Sequence, residues 1–207
     1  MTTYGISIVS GRTQFENSLK NLPRAAICCF PWENTPHPYA YAILARSSDA
    51  FHVFMECNEK EIRALQTEQN GPIYTDSCLE FYFRPSEKSD LYLNIEVNPK
   101  GVIFFSVGSQ RQDRFLITSD GPKELNLIAK IQLENSECPG WQICYDLPFN
   151  LIKKYVPPFD GTEQAMWGNF YKCGNGLSQP HWGCWSPVDT PKPDFHRPEY
   201  FGRFFMI

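Results

Sequence analysis

Long apolar runs are missing from this chain of 207 residues. None approaches the roughly 18 residues that a membrane-spanning helix needs, which excludes a helical membrane anchor and leaves a soluble protein as the expectation. Residues 1–11 hold no charged stretch followed by an apolar core, so no secretory leader is read and a cytoplasmic location is expected. Positive charge is also thin. Lys and Arg number 19 against 23 Asp and Glu, the net charge is −4, and the basic residues are scattered. A nucleic-acid partner is therefore not expected. Helical periodicity is confined to a turn or two near Glu59–Leu65 and Phe149–Lys154, too little for an α/β layer. The chain has no HExxH, no His-x-His, no EF-hand spacing, no Gly-x-Ser-x-Gly and no phosphate-binding glycine loop, so the common metal, hydrolase and nucleotide signatures are absent. No internal repeat, low-complexity tract or Pro-rich linker divides it, and residues 1–207 read as one domain.

Eight cysteines (28, 29, 57, 78, 138, 144, 173 and 184) are present, but no pair has CxxC or zinc-finger spacing. Cys28 and Cys29 are adjacent, poor geometry for a mutual bridge. Cys78 and Cys144 fall inside expected strands, where a thiol serves as a small buried hydrophobe. Reduced cysteines fit a cytoplasmic protein.

What is abundant is aromatic side chain: 15% of the chain, with 16 Phe, 10 Tyr and 5 Trp. Short apolar runs punctuated by 17 Pro and 13 Gly read as strands. The runs are Tyr39–Ala45, Ala50–Cys57, Cys78–Phe83, Leu91–Asn98, Val102–Val107, Leu125–Leu133, Gly140–Leu147, Met166–Tyr171 and Tyr200–Met206. The expected fold is all-β, an antiparallel, jelly-roll-like β-sandwich. Period-two alternation assigns faces. Leu79, Phe81 and Phe83 share one face with Leu91, Leu93, Ile95 and Val97 as their counterparts in the next strand. Leu125, Leu127, Ala129, Ile131 and Leu133 form another apolar row. Phe81, Phe83, Trp141, Tyr145 and Phe170 are expected in the core.

The opposite face is unusual. If Cys78–Phe83 and Leu91–Asn98 pair through their short connection, Glu80 and Glu96 lie close together among Tyr92, Asn94 and Asn98. A solvated exterior is the commoner use of such a face. Carboxylates and amides, however, supply the paired acceptors and donors that vicinal sugar hydroxyls match. Asn169, Tyr171 and Lys172 add polar groups from a later strand. Trp182 and Trp185 sit three positions apart in a Gly/Pro-rich loop; one is expected as a lid on the core and the other as a stacking platform, in either order. Two rival uses stay open. Glu80 and Glu96 could act as the acid and base of a glycoside hydrolase, a hydrolase of O-glycosyl bonds. Met55, Met166 and Met206 with His52, His181 and His196 could ligate haem. His196, beside Arg197, otherwise reads as a structural hydrogen-bonding residue.

The segments IYTDSCLEFYFRP (Ile73–Pro85), LYLNIEVNPKG (Leu91–Gly101), WQICYDLPF (Trp141–Phe149), WGNFYKCG (Trp167–Gly174), PHWGCWSPV (Pro180–Val188) and PDFHRPEYFG (Pro193–Gly202) occur in order. Together they resemble the family 9 carbohydrate-binding modules, in particular the free-standing family 9-like group, over residues 40–205. The resemblance implies non-catalytic binding of a mono- or oligosaccharide, of xylan or glucan type, between two aromatic rings, in support of carbohydrate catabolism. It places Tyr74 where the first clamp ring, a Trp in characterised modules, is expected. Glu80 matches the acidic position, Glu96 and Asn98 a strand pair reading Arg and Asn in xylanase-linked modules, and Asn169 a later amide. Trp182 or Trp185 supplies the second ring. The binding set expected is thus Tyr74, Glu80, Asn94, Glu96, Asn98, Asn169, Tyr171, Lys172, Trp182 and Trp185. No catalytic residue, metal ligand or cofactor is assigned. Xylanase-linked modules hold structural calcium, for which no Asp-rich loop stands out here, and the oligomeric state is left open.

Overall fold

The computed structural model describes residues 1–33, 37–118, 121–132 and 140–207. In chain order the strands are β1 (Thr3–Ile8), β2 (Ala25–Ile27), β3 (Tyr39–Arg46), β4 (Ala50–Asn58), β5 (Cys78–Arg84), β6 (Tyr92–Val97), β7 (Ile103–Gly108), β8 (Phe115–Leu116), β9 (Ile128–Gln132), β10 (Gly140–Pro148), β11 (Ala165–Cys173), β12 (Trp182–Cys184) and β13 (Gly202–Met206). Three short helices join them, α1 (Arg12–Ser18), α2 (Gly121–Glu124) and α3 (Phe149–Tyr155). No helix among the described residues is long and apolar enough to cross a membrane.

The strands hydrogen-bond into one continuous sheet in the order β8-β7-β6-β5-β11-β13-β1-β3-β4-β10-β9, with β12 on β11 and β2 on β3. The all-β expectation therefore holds, but a wholly antiparallel sandwich does not. β1 runs parallel to both β13 and β3, so the sheet is mixed. The cause is the N-terminal segment. A parallel neighbour needs a crossover connection, and α1 with β2 supplies it between β1 and β3. Phe15 of α1 is buried against the His52 ring at 5.6 Å, and Arg12 donates to Asp146 Oδ1 at 2.9 Å, which fastens the crossover to the sheet.

The sheet curls so that its two wings face each other. Phe51 of β4 packs edge-on against Phe83 of β5, centroids 5.1 Å apart. Phe81 stacks on Phe170 of β11 at 4.6 Å. Phe81, Phe83, Trp141, Tyr145 and Phe170 all lie in this main core. Burying a ring of this size contributes about 1.5–3 kcal/mol. The apolar row of residues 125–133 fades outward: Leu125 is fully buried, Leu127 and Ala129 pack on the core, and Ile131 is exposed on the edge strand β9. Leu133 and Cys138 lie outside the described residues. No disulfide joins the cysteines among the described residues.

Residues 59–65 were expected to form a helical turn and do not. Their hydrogen-bonding groups are engaged elsewhere. The buried Asp76 carboxylate accepts the backbone N–H groups of Leu65 and Gln66 at 3.0 and 2.9 Å, so these donors do not close helical turns. The helix over Phe149–Tyr155 forms as expected.

Candidate functional site

Strand register sets the floor of the site. Across β5 and β6, Glu80 stands opposite Glu96 and Tyr82 opposite Asn94. β11 adds Tyr171 beside Glu80 and Asn169 beside Tyr82, and β7 adds Phe104 beside Glu96 and Ser106 beside Asn94. One row therefore reads Tyr171, Glu80, Glu96, Phe104, and the next Asn169, Tyr82, Asn94, Ser106, on the face turned away from the main core. This face is not a solvated exterior. Glu80 is 2% exposed, Glu96 6% and Asn94 0%, because loops fold over it and form a second apolar cluster with Ile73, Tyr92, Val188, Phe195 and Phe201.

A cavity of about 630 Å³ remains between the floor and those loops, within the ordinary range for small-molecule sites. Glu80, Glu96, Tyr82 and Phe104 line it from the sheet. Tyr74 lines it from the 3-10 turn Ile73–Thr75, and Trp182 from the start of β12. Tyr74 is 51% exposed, a large ring left about half uncovered. The turn beneath it is tightly held. Gly176 lies against the Thr75 carbonyl so closely that a Cβ would collide with it.

Burial raises the Glu80 carboxyl well above its usual range, and the facing Glu96 raises it further. Burial likewise pushes Glu96 up to about 7, opposed by a hydrogen bond from Asn94 and by the charges of Arg114 and Arg111. Two adjacent carboxyls in a dry floor do not both ionise readily, so near neutral pH the pair holds at least one proton. The Asn94 amide is aimed by its neighbours: Ser106 Oγ and Arg114 donate to Oδ1 at 2.9 and 2.7 Å, which turns Nδ2 toward Glu96 Oε1 at 3.2 Å.

Behind the carboxyls lies a chain of rings. His196 Nδ1 is 2.8 Å from the Tyr92 hydroxyl and Nε2 is 3.2 Å from the Tyr82 hydroxyl. Burial, together with Arg114 and Arg111, drives the His196 pKa far down, so the imidazole is neutral and one nitrogen accepts. A neutral ring has one donor and one acceptor nitrogen, so one of these two hydroxyls donates to it and the other accepts from it, whichever tautomer is present.

The structure brings Tyr74, Glu80, Glu96 and Trp182 to the cavity and Asn94 just behind its wall. The other expected binding residues are occupied elsewhere. Asn98 is a loop clamp: Nδ2 donates to Gln66 O and Asp76 Oδ2, both at 3.0 Å, and Oδ1 accepts from Lys100 and Val102 N–H. Asn169 exchanges two 2.8 Å hydrogen bonds with the backbone of Ser186. Tyr171 is buried beneath Phe195, rings stacked at 4.1 Å, with its hydroxyl on the Phe195 carbonyl. Lys172 projects to the opposite face and pairs with buried Glu59 at 3.0 Å. Trp185 stacks on Phe204 at 5.3 Å and packs, partly buried, against the main core. Of the two loop tryptophans, Trp185 is thus the lid and Trp182 the ring at the cavity.

Sequence reasoning passed over the cations of the rim, Arg111, Arg114 and Lys192, and also Asp194 and the lining role of His196. Two arginines three apart in the polar SQRQDR segment were the available signal. Arg111 pairs with Asp194 at 2.8 Å. Among the described residues, the group with metal-ligand geometry is Cys78, Glu80 and Glu96. One thiol and two carboxylates do not supply the six to eight oxygens that calcium takes, so this site does not fit calcium. Nor do the residues suggested for haem converge. Met55 and Met166 are sealed in the main core, His52 Nδ1 holds Asp146 at 2.7 Å, and both His196 nitrogens meet tyrosines.

Structural comparison yields a Bacteroides uniformis protein whose proposed role is carbohydrate binding, at TM-score 0.83 and 22% identity over 100% of this chain and 99% of that one. Two solved structures of a family 9 carbohydrate-binding module from Caldicellulosiruptor kristjanssonii also match, each at 12% identity over 99% of this chain. The complex with cellotriose has TM-score 0.64 over 93% of its chain, and that with glucose 0.63 over 95%. No curated protein matches by sequence. The family model for carbohydrate-binding family 9 covers residues 16–206, nearly the whole chain, and this protein belongs to that family.

Proposed function

We propose that this protein binds a mono- or oligosaccharide in the cavity between Tyr74 and Trp182 and does not cleave it. The observation that carries the reading is the combination of a half-uncovered aromatic ring at the mouth with two buried carboxyls on the floor. Aromatic faces accept the apolar C–H face of a pyranose at little entropic cost. A protonated carboxyl beside an ionised one offers a donor and acceptors to ring hydroxyls. Binding rather than hydrolysis is favoured by placement. Glu80 and Glu96 lie on adjacent strands of one floor, whereas glycosidase carboxyls flank the scissile bond from two sides. The cellotriose and glucose complexes of the Caldicellulosiruptor module make glucose-type sugars the first ligands to try.

Isothermal titration of the folded protein against glucose, xylose, cello- and xylo-oligosaccharides tests this. Saturable binding that is lost in Trp182→Ala and Tyr74→Ala supports it. Absence of binding by every sugar at millimolar concentration overturns it, and turnover of aryl glycosides that vanishes in Glu80→Gln would favour the hydrolase instead.

A further inference from the structure

The carboxyl floor accounts for one side of the cavity, and the other side is cationic. Arg111, Arg114 and Lys192 all line it, on the β7–β8 connection and on the loop before Phe195. Arg111 is answered by Asp194. Arg114 is not answered by a carboxylate among the described residues. Its Nε donates to the Arg111 carbonyl at 3.1 Å and one terminal nitrogen to Asn94 Oδ1 at 2.7 Å, while its plane lies over the Phe104 ring at 5.4 Å. The second terminal nitrogen keeps its donors free of any acceptor among the described residues. The guanidinium is therefore held in place on two sides with its remaining fork unspent, the arrangement that suits bidentate recognition of an oxyanion. Lys192 is exposed and adds a second unpaired cation. Because the floor pair keeps a proton near neutral pH, the lining carries positive charge in excess.

We infer that the ligand is an anionic saccharide, a sugar whose carboxylate, sulfate or phosphate substituent is taken by Arg114 and Lys192 while its ring hydroxyls meet Glu80 and Glu96. The inference rests on the carbohydrate-binding reading and narrows it. A neutral sugar would leave the Arg114 fork and the Lys192 ammonium without counterpart in a site whose floor already provides acceptors. An anionic substituent meets both needs at once, and a charge-assisted pair of this kind distinguishes a charged ligand from its neutral isostere by about tenfold or more.

The test is titration of the full chain with glucuronate and galacturonate, each beside its uncharged methyl ester, and with glucose 6-sulfate and glucose 6-phosphate beside glucose. At least one anionic sugar is expected to bind about tenfold more tightly than its neutral counterpart, and the arm that does so identifies the substituent. The preference should shrink in about 0.5 M salt, where exposed charges are screened. It should be lost in Arg114→Gln and reduced in Lys192→Gln. Should the first variant fold poorly, the second, at an exposed position, and the salt series on the unaltered protein decide. Equal or tighter binding of the neutral sugars overturns the inference and leaves carbohydrate binding standing. An anionic preference that survives both substitutions also overturns it. No binding of any sugar, charged or neutral, overturns both readings.

Discussion

Glu80 and Glu96 stand opposite each other across β5 and β6, both nearly sealed from water, on the floor of an otherwise open cavity. Natural folds seldom bury two carboxyls side by side without a cation between them, because each penalises ionisation of the other. Here Asn94 and Tyr82 contribute hydrogen bonds, and Arg114 and Arg111 contribute field from the rim. The arrangement is costly for stability.

That cost has a pH signature. A carboxyl raised in the folded state binds its proton more tightly there than in the unfolded chain. Its contribution is fully present below the unfolded value of about 4.5 and is lost as pH rises through about 7 for Glu96. Glu96→Gln removes that loss. Thermal unfolding should show the variant matching the parent near pH 5 and melting higher at pH 8. A melting difference that is the same at both pH values contradicts the assignment.

Much of this was legible from alternation alone. Period two in LEFYF and LNIEV puts Glu80 and Glu96 on one face, and the short connection after Phe83 pairs the strands. The same alternation excludes Lys172: Asn169 and Tyr171 share a parity that Lys172 does not, and its partner in register is the core residue Leu79. What alternation does not reveal is the cover. Arg114 reaches Asn94 across 20 residues, and His196 reaches Tyr82 across 114. Whether a polar face is solvated or roofed depends on such distant returns, which leave no local pattern. The crossover through β1 and α1 escaped for a related reason. Thr3–Ile8 is a short strand containing Gly5, fixed by its pairing with Arg203–Met206 and by the Leu44 N–H on the Tyr4 hydroxyl, while α1 is fixed through Arg12 on Asp146.

The loop tryptophans should separate by assay. Trp185 packs on Phe204, Phe170 and Tyr4, so Trp185→Ala is expected to cost about 3 kcal/mol of stability by urea denaturation. Trp182 borders the cavity and is partly exposed, so Trp182→Ala should change stability by less than about 1 kcal/mol while abolishing sugar binding. The reverse pattern would exchange their roles.

Asn98 acts on the site through the loop it clamps. It ties Gln66 and Asp76, next to the turn that carries Tyr74, to the β6–β7 turn. Asn98→Ala leaves buried donors and acceptors unmet and should cost about 1–3 kcal/mol. Sugar affinity should fall with it, although Asn98 does not line the cavity. Unchanged stability would show that water replaces the amide.

A buried ion pair lies under the sheet, on the side away from the cavity. Lys172 Nζ lies 3.0 Å from Glu59 Oε2, and Glu59 Oε1 accepts from Trp141 Nε1 at 2.6 Å. Both partners are buried on the core side, so Lys172→Met alone strands a carboxylate and should cost about 3–5 kcal/mol. Glu59→Gln in the same chain keeps an acceptor for Trp141 and removes the stranded charge. The double variant should therefore recover most of the loss in urea denaturation, and it should bind sugar as the parent does, because neither residue lines the cavity. A double variant that loses binding while remaining folded would return Lys172 to the site.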